Sequence, residues 1–331
     1  MTHSSQLIST GRLCAARSLF RPHGRTTLTQ TPEHQGKRRF TREETAGLAF
    51  GITGFTIWGL TPLYFKALGG LPAAEIVSHR FVWSMIFMVL VLTVSRQRPA
   101  VALAITRPRV LAVLLVTGVL IGTNWLVFIH AVLVDRIVAA SLGYFLNPLV
   151  SVLLGFAFLR ERLTPLQWCA VGLAACGVLT QVIAYGTLPW IALVLALTFA
   201  TYGLLRKKVD AGAAVGLFLE TALLLPVVLG VLIWLEIAGT GAFTNRGIGF
   251  DLLLAFAGIA TGLPLVLYAA GARRVKLSTI GLLQYIAPSG NLLIAVLMFG
   301  EPFTTIEAIT FAFIWSALVV YTVEIWRTRI V

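Results

Sequence analysis

The sequence predicts an all-α integral membrane protein in which ten transmembrane helices form two inverted repeats of five helices each. Its composition is the first reason, because 58% of the 331 residues are hydrophobic and only 12% are charged, whereas a soluble domain has about 25% charged residues. The second reason is a series of ten apolar runs, each with the roughly 20 residues that a helix needs to cross a bilayer. The third is an internal repeat, in which residues 141–164 recur in diverged form at residues 280–304.

The ten expected helices occupy almost all of the chain after residue 44. We expect a basic, disordered tail at residues 1–44, a first repeat at residues 45–184 and a second repeat at residues 185–331. The tail has no apolar core of the kind found in a secretory signal, and no room remains for a soluble catalytic domain. The expected helices are 46–66, 74–95, 109–133, 137–159, 165–184, 188–206, 213–236, 251–273, 276–299 and 304–326.

The internal repeat is defined by a proline and a glutamate that a shift of 140 residues superimposes. Pro148 falls on Pro288, and Glu161 falls on Glu301, with an apolar block of equal length between proline and glutamate in both copies. One helical proline is unremarkable, but two prolines at the same distance from a glutamate indicate duplication.

Basic residues alternate between the loops that connect the expected helices. The tail, the even-numbered loops and the C-terminus are rich in Lys and Arg, whereas the odd-numbered loops carry few. Because cytoplasmic loops of membrane proteins are enriched in these residues, we expect both termini on the cytoplasmic side of the inner membrane. A second unit of five helices must then cross the bilayer in the opposite direction, and Arg160-Glu161-Arg162 accordingly becomes Gly300-Glu301-Pro302. The net charge of +13 thus reflects membrane topology, and no nucleic-acid partner is expected.

Particular stretches of both halves carry a family resemblance. The first half contains FTIWGLTPLYFKAL, PAAEIVSHRFVWS, GTNWLVFIHAV and ASLGYFLNPLVSVLLGFAFLRERLT, and the second contains TYGLLRKK, GLFLETALLLP and LQYIAPSGNLLIAVLMFGEPF. Together they resemble the RarD-like branch of the EamA, or drug/metabolite transporter, superfamily, from about Gly47 to Trp326. The resemblance implies two EamA-type repeats and an inner-membrane carrier. The family's chloramphenicol-sensitivity label names no transported molecule, and the resemblance assigns no binding residues.

The paired prolines indicate where a substrate would bind. Carriers with inverted repeats bind substrate near the bilayer midplane at the repeat interface, and paired Pro or Gly interruptions mark that place. Each proline removes one backbone hydrogen bond and bends its helix, so Pro148 and Pro288 are expected helix breaks. The alternative is a tight contact between small residues of the two helices.

Neutral polar and aromatic residues near these prolines are the candidate substrate-binding groups, and their chemistry suits a solute with both polar and apolar parts. The candidates are Tyr144, Asn147, Gln284 and Tyr285, together with Asn124 and Trp125 on the third helix.

Ionisable residues within membrane helices are functional candidates because they are costly to bury. Arg80 and Glu220 lie 140 residues apart, but inversion places them at depths that differ by roughly 12 Å in a core of about 30 Å. We therefore expect two separate groups, with His79 and Arg80 in the outer half of the pathway and Glu220 in the inner half as a candidate proton carrier. The alternative is that each makes fixed hydrogen bonds to neighbouring helices. Glu75 is expected to pair with His79 one turn later.

Glu161 and Glu301 occur in both repeats although they face opposite sides of the expected membrane. We expect each carboxylate to favour the N-terminus of the next helix, and the alternative is a contact that gates the pathway. Cys14, Cys169 and Cys176 have no metal-site or disulfide spacing and are expected to be small buried residues.

The leading functional interpretation is a secondary transporter that alternates access by rocking one repeat against the other. The sequence has no GxxxxGK[ST] phosphate-binding loop, so energy would come from a gradient or from exchange. A membrane-embedded enzyme, a pore and a non-transporting sensor remain alternatives, although no catalytic group, cofactor or metal is expected. The expected partners are a small-molecule substrate and the lipid bilayer, and a homodimer is left open.

Overall fold

A computed structural model describes residues 41–160, 162–275 and 277–328, and every regular element within these ranges is a helix. Ten spans in them are long and apolar enough to cross a membrane. Most of the expected tail lies outside the described residues. The helices are α1 (Arg42–Ala67), α2 (Ala73–Val94), α3 (Arg98–Ile105), α4 (Pro108–Leu133), α5 (Ile137–Leu159), α6 (Pro165–Tyr185), α7 (Trp190–Lys208), α8 (Ala213–Ile237), α9 (Ile248–Ala255), α10 (Ala257–Ala272), α11 (Leu277–Leu283), α12 (Ile286–Leu297) and α13 (Thr305–Thr328).

The ten expected helices are confirmed as ten spans, with three differences. The short helix α3 lies in the second loop, where no helix was expected. The eighth span is divided between α9 and α10, and the ninth is interrupted at Gln284 and Tyr285, between α11 and α12. The prediction that the membrane cysteines are buried is wrong, because Cys169 and Cys176 are exposed on α6, where a small thiol can face the surface of a membrane helix.

Helix starts repeat with the same 140-residue spacing as the sequence. Four pairs of first residues are separated by that distance: Ala73 and Ala213, Pro108 and Ile248, Ile137 and Leu277, and Pro165 and Thr305. The repeat therefore extends beyond residue identity to the positions at which the chain enters each helix.

Capping explains one of these pairs. Thr164 precedes α6 and exchanges hydrogen bonds of 3.0 and 3.3 Å with Gln167, while Thr304 precedes α13 and does the same with Glu307 at 2.7 and 3.3 Å. Such reciprocal bonds satisfy backbone N–H groups that have no partner within the first turn of a helix. Threonine followed three residues later by Gln or Glu thus sets both starts.

Contacts between loops sort the connections into two ends of the helix bundle. At the odd-loop end, which carries loops 1, 3, 5, 7 and 9, Lys66 forms a 2.6 Å ion pair with Asp135, and Tyr185 hydrogen-bonds Thr304 at 2.8 Å. At the even-loop end, Arg107 pairs with Asp210 at 2.8 Å, and Arg274 pairs with Glu43 at 3.2 Å. Each of these contacts joins connections that ten alternating spans would place at the same end.

Helix packing crosses the boundary between the two repeats. Helix α7, the first of the second repeat, packs against α4 and α5, whereas α1, the first of the first repeat, packs against α10 and α12. The remaining major contacts join α2 to α8 and to α10, α4 to α8, α5 to α12, and α6 to α13. The two sequence repeats are therefore not separate packing units, because the first helix of each repeat packs against helices of the other repeat. Helices α6 and α13, the last helices of the two repeats, contact each other.

Candidate functional site

The two prolines lie on helices that contact each other, α5 and α12, but they act differently. Pro288 is the third residue of α12, directly after the interruption at Gln284 and Tyr285. A proline is tolerated in the first turn, where backbone N–H groups have no intrahelical partner. Pro148 lies inside α5, which continues through it to Leu159, so the Tyr144 carbonyl loses its usual donor without a break in the helix.

Two of the candidate substrate-binding residues, Tyr144 on α5 and Asn124 on α4, hydrogen-bond each other. The Tyr144 hydroxyl donates to Asn124 Oδ1 at 3.0 Å. Asn124 Nδ2 in turn donates to the Leu195 carbonyl and to Thr198 Oγ1, each at 3.0 Å. Asn124 is buried, and its amide thus joins α4 and α5 to α7 through neutral polar groups.

The other candidates near the prolines are placed close to these helices but are not joined to that network. Tyr285 stacks on Phe145 with ring centroids 6.2 Å apart and an interplanar angle of 16°. Gln284 is half-buried in the interruption between α11 and α12. Asn147 Oδ1 is buried and has no hydrogen-bond partner among the described residues, so an unsatisfied polar atom lies beside Pro148.

Arg80 and Trp125 form a stacked pair. The Arg80 guanidinium carbon lies 3.9 Å from the centre of the Trp125 ring and 5.4 Å from the centre of the Phe65 ring. Its Nε donates to Thr261 Oγ1 at 2.8 Å. Arg80 and Trp125 are both buried, so the arginine is held rigidly between α2, α4 and α10.

Glu220 is fully buried and has three polar neighbours. Its Oε1 accepts a 2.7 Å hydrogen bond from Thr117 and lies 3.6 Å from Arg206 Nε, while Oε2 accepts from the Tyr202 hydroxyl at 3.4 Å. Sequence reasoning missed these neighbours. Arg206 ends the expected helix 188–206 and Thr117 lies within the expected helix 109–133, and neither position pointed to Glu220.

An aromatic wall connects the neighbourhoods of Arg80 and Glu220. Successive ring centroids lie 5.6 to 6.2 Å apart, and the wall passes the Tyr144–Asn124 pair. It therefore links both charged groups to the candidate substrate residues. In order, its members are Phe65, Phe128, Tyr144, Phe199 and Tyr202.

The expected pairing of Glu75 with His79 is wrong. Glu75 Oε1 accepts a 2.7 Å hydrogen bond from the Ala242 backbone N–H, and its Oε2 has no partner among the described residues. His79 packs against Phe243, with ring centroids 5.4 Å apart. The loop before α9 supplies both partners, and spacing within one helix gave no indication of it.

Glu301 caps a helix, but not the next one. Its carboxylate accepts backbone hydrogen bonds from Ile137 at 2.7 Å and Val138 at 2.9 Å, so a residue of the second repeat caps the start of α5 in the first. Burial raises the pKa of the Glu301 carboxyl group, and the two backbone bonds oppose that shift. Glu161 lies outside the described residues.

A separate cavity of about 360 Å³ lies at the odd-loop end, away from the aromatic wall. His130 is exposed at its edge and faces Trp190 with ring centroids 6.1 Å apart. Within the described ranges, no three His, Cys, Asp or Glu side chains form a cluster able to hold a metal ion. The cavity is lined by His130, Val134, Arg136, Trp190 and Ile191.

Known proteins resemble the chain over most of its length. The model of the EamA-like transporter family matches residues 45–183. An uncharacterized transporter of Vibrio cholerae serotype O1 is 46% identical over 294 residues, which cover 89% of this chain and 95% of that protein. The protein RarD of Escherichia coli strain K12 is 44% identical over 283 residues, covering 86% of this chain and 96% of that protein.

A more distant relative and a solved structure are also similar to the chain. The chloramphenicol-sensitive protein RarD of Pseudomonas aeruginosa is 34% identical over 276 residues, covering 82% of this chain and 92% of that protein. A crystal structure with 20% sequence identity and a TM-score of 0.54 covers 86% of this chain and 99% of its own, which shows a shared fold. The chain is therefore a RarD-like member of the EamA-like transporter family and a multi-pass membrane transporter.

Proposed function

We propose that the protein is a secondary transporter that moves a small solute, part polar and part apolar, across the inner membrane by alternating access. The solute would bind at the repeat interface, where α5 meets α12 near Pro148 and Pro288. The observation that carries this proposal is the part-buried Tyr144–Asn124 pair, bonded at 3.0 Å on a wall that runs between two buried charged groups. Neutral donors and acceptors beside aromatic rings are the chemistry expected of a small-molecule site.

The proposed orientation has the two repeats inverted and both termini in the cytoplasm. Its support is the 140-residue spacing of helix starts and the sorting of loop contacts by odd and even number. The even-numbered loops are the basic ones, and basic loops remain on the cytoplasmic side. The odd-loop end would then face outward.

Alternating access requires units that move against each other. Because α1 and α7 exchange repeats, we assign the moving units by packing: α4, α5 and α7 form one group, and α1, α10 and α12 form the other. The Glu301 carboxylate, bonded to the start of α5, joins the second repeat to the first at the odd-loop end. Breaking that contact would be one step of opening toward that side.

Energy for transport would come from an ion gradient or from solute exchange, because the sequence has no ATP-binding loop. Glu220 is the proposed proton carrier. It is buried among Thr117, Tyr202 and Arg206, so its protonation state would be sensitive to movement of α7 against α8.

The direct test is a screen of metabolites and drugs for uptake into vesicles that contain the purified protein. Saturable, protein-dependent uptake that is lost on Asn147→Ala or Gln284→Ala, but kept by the peripheral variant His130→Ala, would support the proposed site. Non-saturable flux would favour a pore, and chemical conversion of the solute would favour an enzyme.

A further inference from the structure

The hydrogen bonding of Arg80 leaves most of its donors unused. Of the five N–H groups of a guanidinium, only the one on Nε is hydrogen-bonded among the described residues, to Thr261. The nitrogens Nη1 and Nη2 make no bond to described residues, yet they are not among the polar atoms sealed from solvent. The residue is 6% exposed overall, so these unused donors are in a nearly buried position.

No carboxylate among the described residues balances this charge. Within those ranges Arg80 forms no ion pair. Glu220 on α8 is paired with Arg206 and Thr117, and Glu75, on α2 with Arg80, bonds the Ala242 backbone through one of its two oxygens. An unbalanced cation inside a membrane span is costly, so a charge-neutralising ligand would bind there with a large gain in electrostatic energy.

The surroundings of the guanidinium also restrict the rest of the ligand. Trp125 and Phe65 lie against the guanidinium, and Phe128 and Tyr144 continue the aromatic wall from Phe65. An anion bonded to the terminal nitrogens would therefore have its apolar or aromatic body beside the rings of the aromatic wall. A planar carboxylate matches the paired donors of a guanidinium better than a spherical ion does.

We propose that Arg80 is the docking point for a single carboxylate, and that the transported solute is a monoanion with an apolar or aromatic body. The statement that the carboxylate belongs to the transported solute rests on the proposed transport function. The test of the site measures binding and does not depend on transport. The Arg80 terminal nitrogens receive the carboxylate, Trp125 fixes the plane of the guanidinium, and the aromatic wall contacts the body of the solute.

The test measures binding to the full-length protein in detergent, which does not depend on transport. The probes are three acids (phenylacetate, 3-phenylpropionate and hexanoate) and the three corresponding primary amides, compared at equal ionic strength with sodium chloride as the inorganic anion. We expect at least one acid to raise the unfolding temperature more than its amide and more than chloride. Loss of charge-assisted hydrogen bonds in Arg80→Gln should weaken binding of that acid by about ten- to a hundredfold.

Two further variants keep the test decisive. Arg80→Lys retains the charge but not the paired donors, so its affinity should fall between wild type and Arg80→Gln. Arg246→Gln is the matched control, because Arg246 also stacks on an aromatic ring, at 5.3 Å from Phe250, but at the odd-loop end. The assignment is overturned if no acid is preferred to its amide, if chloride stabilises equally, or if both Arg80 variants bind the acid like wild type. Binding without vesicle uptake would instead refute the transport function and leave the site in place.

Discussion

Arg80 and Glu220 occupy the same position in two different helices, seven residues after the first residue of α2 and of α8 respectively. Each is buried, and each is hydrogen-bonded to a threonine of the span packed beside it. Arg80 donates to Thr261, and Glu220 accepts from Thr117. The two positions, 140 residues apart, thus share their place in the helix and the type of partner but carry opposite charges. The two halves of the protein therefore carry opposite buried charges at corresponding positions.

Replacing Glu220 with Gln is expected to remove the pH dependence of solute uptake in vesicles. The amide has nearly the shape of the carboxyl group and can still accept from Thr117, but it cannot carry a proton. Uptake would be measured across a range of pH values with and without an imposed proton gradient. If the variant keeps the full pH dependence of the wild type, Glu220 is not the proton carrier.

Arg206 and Glu220 should show strong coupling in a double-mutant cycle. Removing only Arg206 leaves the fully buried Glu220 without its nearby cation, and breaking a buried ion pair from one side costs on the order of 3 kcal/mol. Arg206→Ala should therefore lower thermal stability more than Arg206→Ala combined with Glu220→Gln. A loss in the double variant equal to the sum of the losses in Arg206→Ala and Glu220→Gln would show that the 3.6 Å pair contributes nothing.

A methyl group at position 258 should be poorly tolerated. A Cβ at Gly258 would overlap the carbonyl of Trp83, which is backbone of α2 and cannot rotate away. Overpacking of this kind typically costs about 1–3 kcal/mol, so Gly258→Ala should lower the unfolding temperature in detergent. Gly230→Ala is the matched control, since that glycine also lies within a helix and has nothing within 4 Å of its Cβ position. Equal behaviour of the two variants would mean that α2 and α10 do not approach closely.

The contact of Glu301 with α5 should strengthen as the pH falls. Burial raises the pKa of Glu301, nearby Asp135 acts in the same direction, and the bonds from Val138 and Ile137 together with Lys66 oppose it. When the odd-loop end opens and the Glu301 carboxyl group becomes hydrated, its pKa returns toward the usual value. The closed form therefore binds the proton more tightly than the open form. By linkage, lowering the pH through the raised pKa favours closure and raising it favours opening.

Hydrogen exchange at the Ile137 and Val138 amides measures this contact directly. After correction for the intrinsic pH dependence of exchange, wild-type protection should decrease as the pH rises through the raised pKa. Glu301→Gln, which mimics the protonated acid, should remove that dependence, and Glu301→Ala should reduce protection at every pH. Protection that rises with pH in the wild type would contradict this account.

The ten spans were predictable because hydrophobicity over 20 residues and threonine caps such as Thr164 are local signals. Contacts between residues far apart in the chain were not predictable from such local signals. The partner of Glu301 lies 164 residues earlier in the chain, and the exchange of α1 and α7 between repeats leaves no mark in either segment. Of the candidate site, polarity near Pro148 singled out Tyr144, but its hydrogen bond to Asn124 on α4 left no local signal in the sequence. Arg206 was missed because an arginine at the end of a membrane helix also fits a cytoplasmic loop.

Access to residue 147 from the two sides of the membrane tests the central claim most directly. A single cysteine would replace Asn147 in protein whose Cys14, Cys169 and Cys176 have been replaced, and a membrane-impermeant thiol reagent would be applied from each side of sealed vesicles in turn. We predict labelling from both sides, with transported solute slowing both reactions and no leak of reagent across the membrane. Labelling from one side only, or equal rates with and without solute, would contradict a single site at the α5–α12 contact that opens alternately to each side.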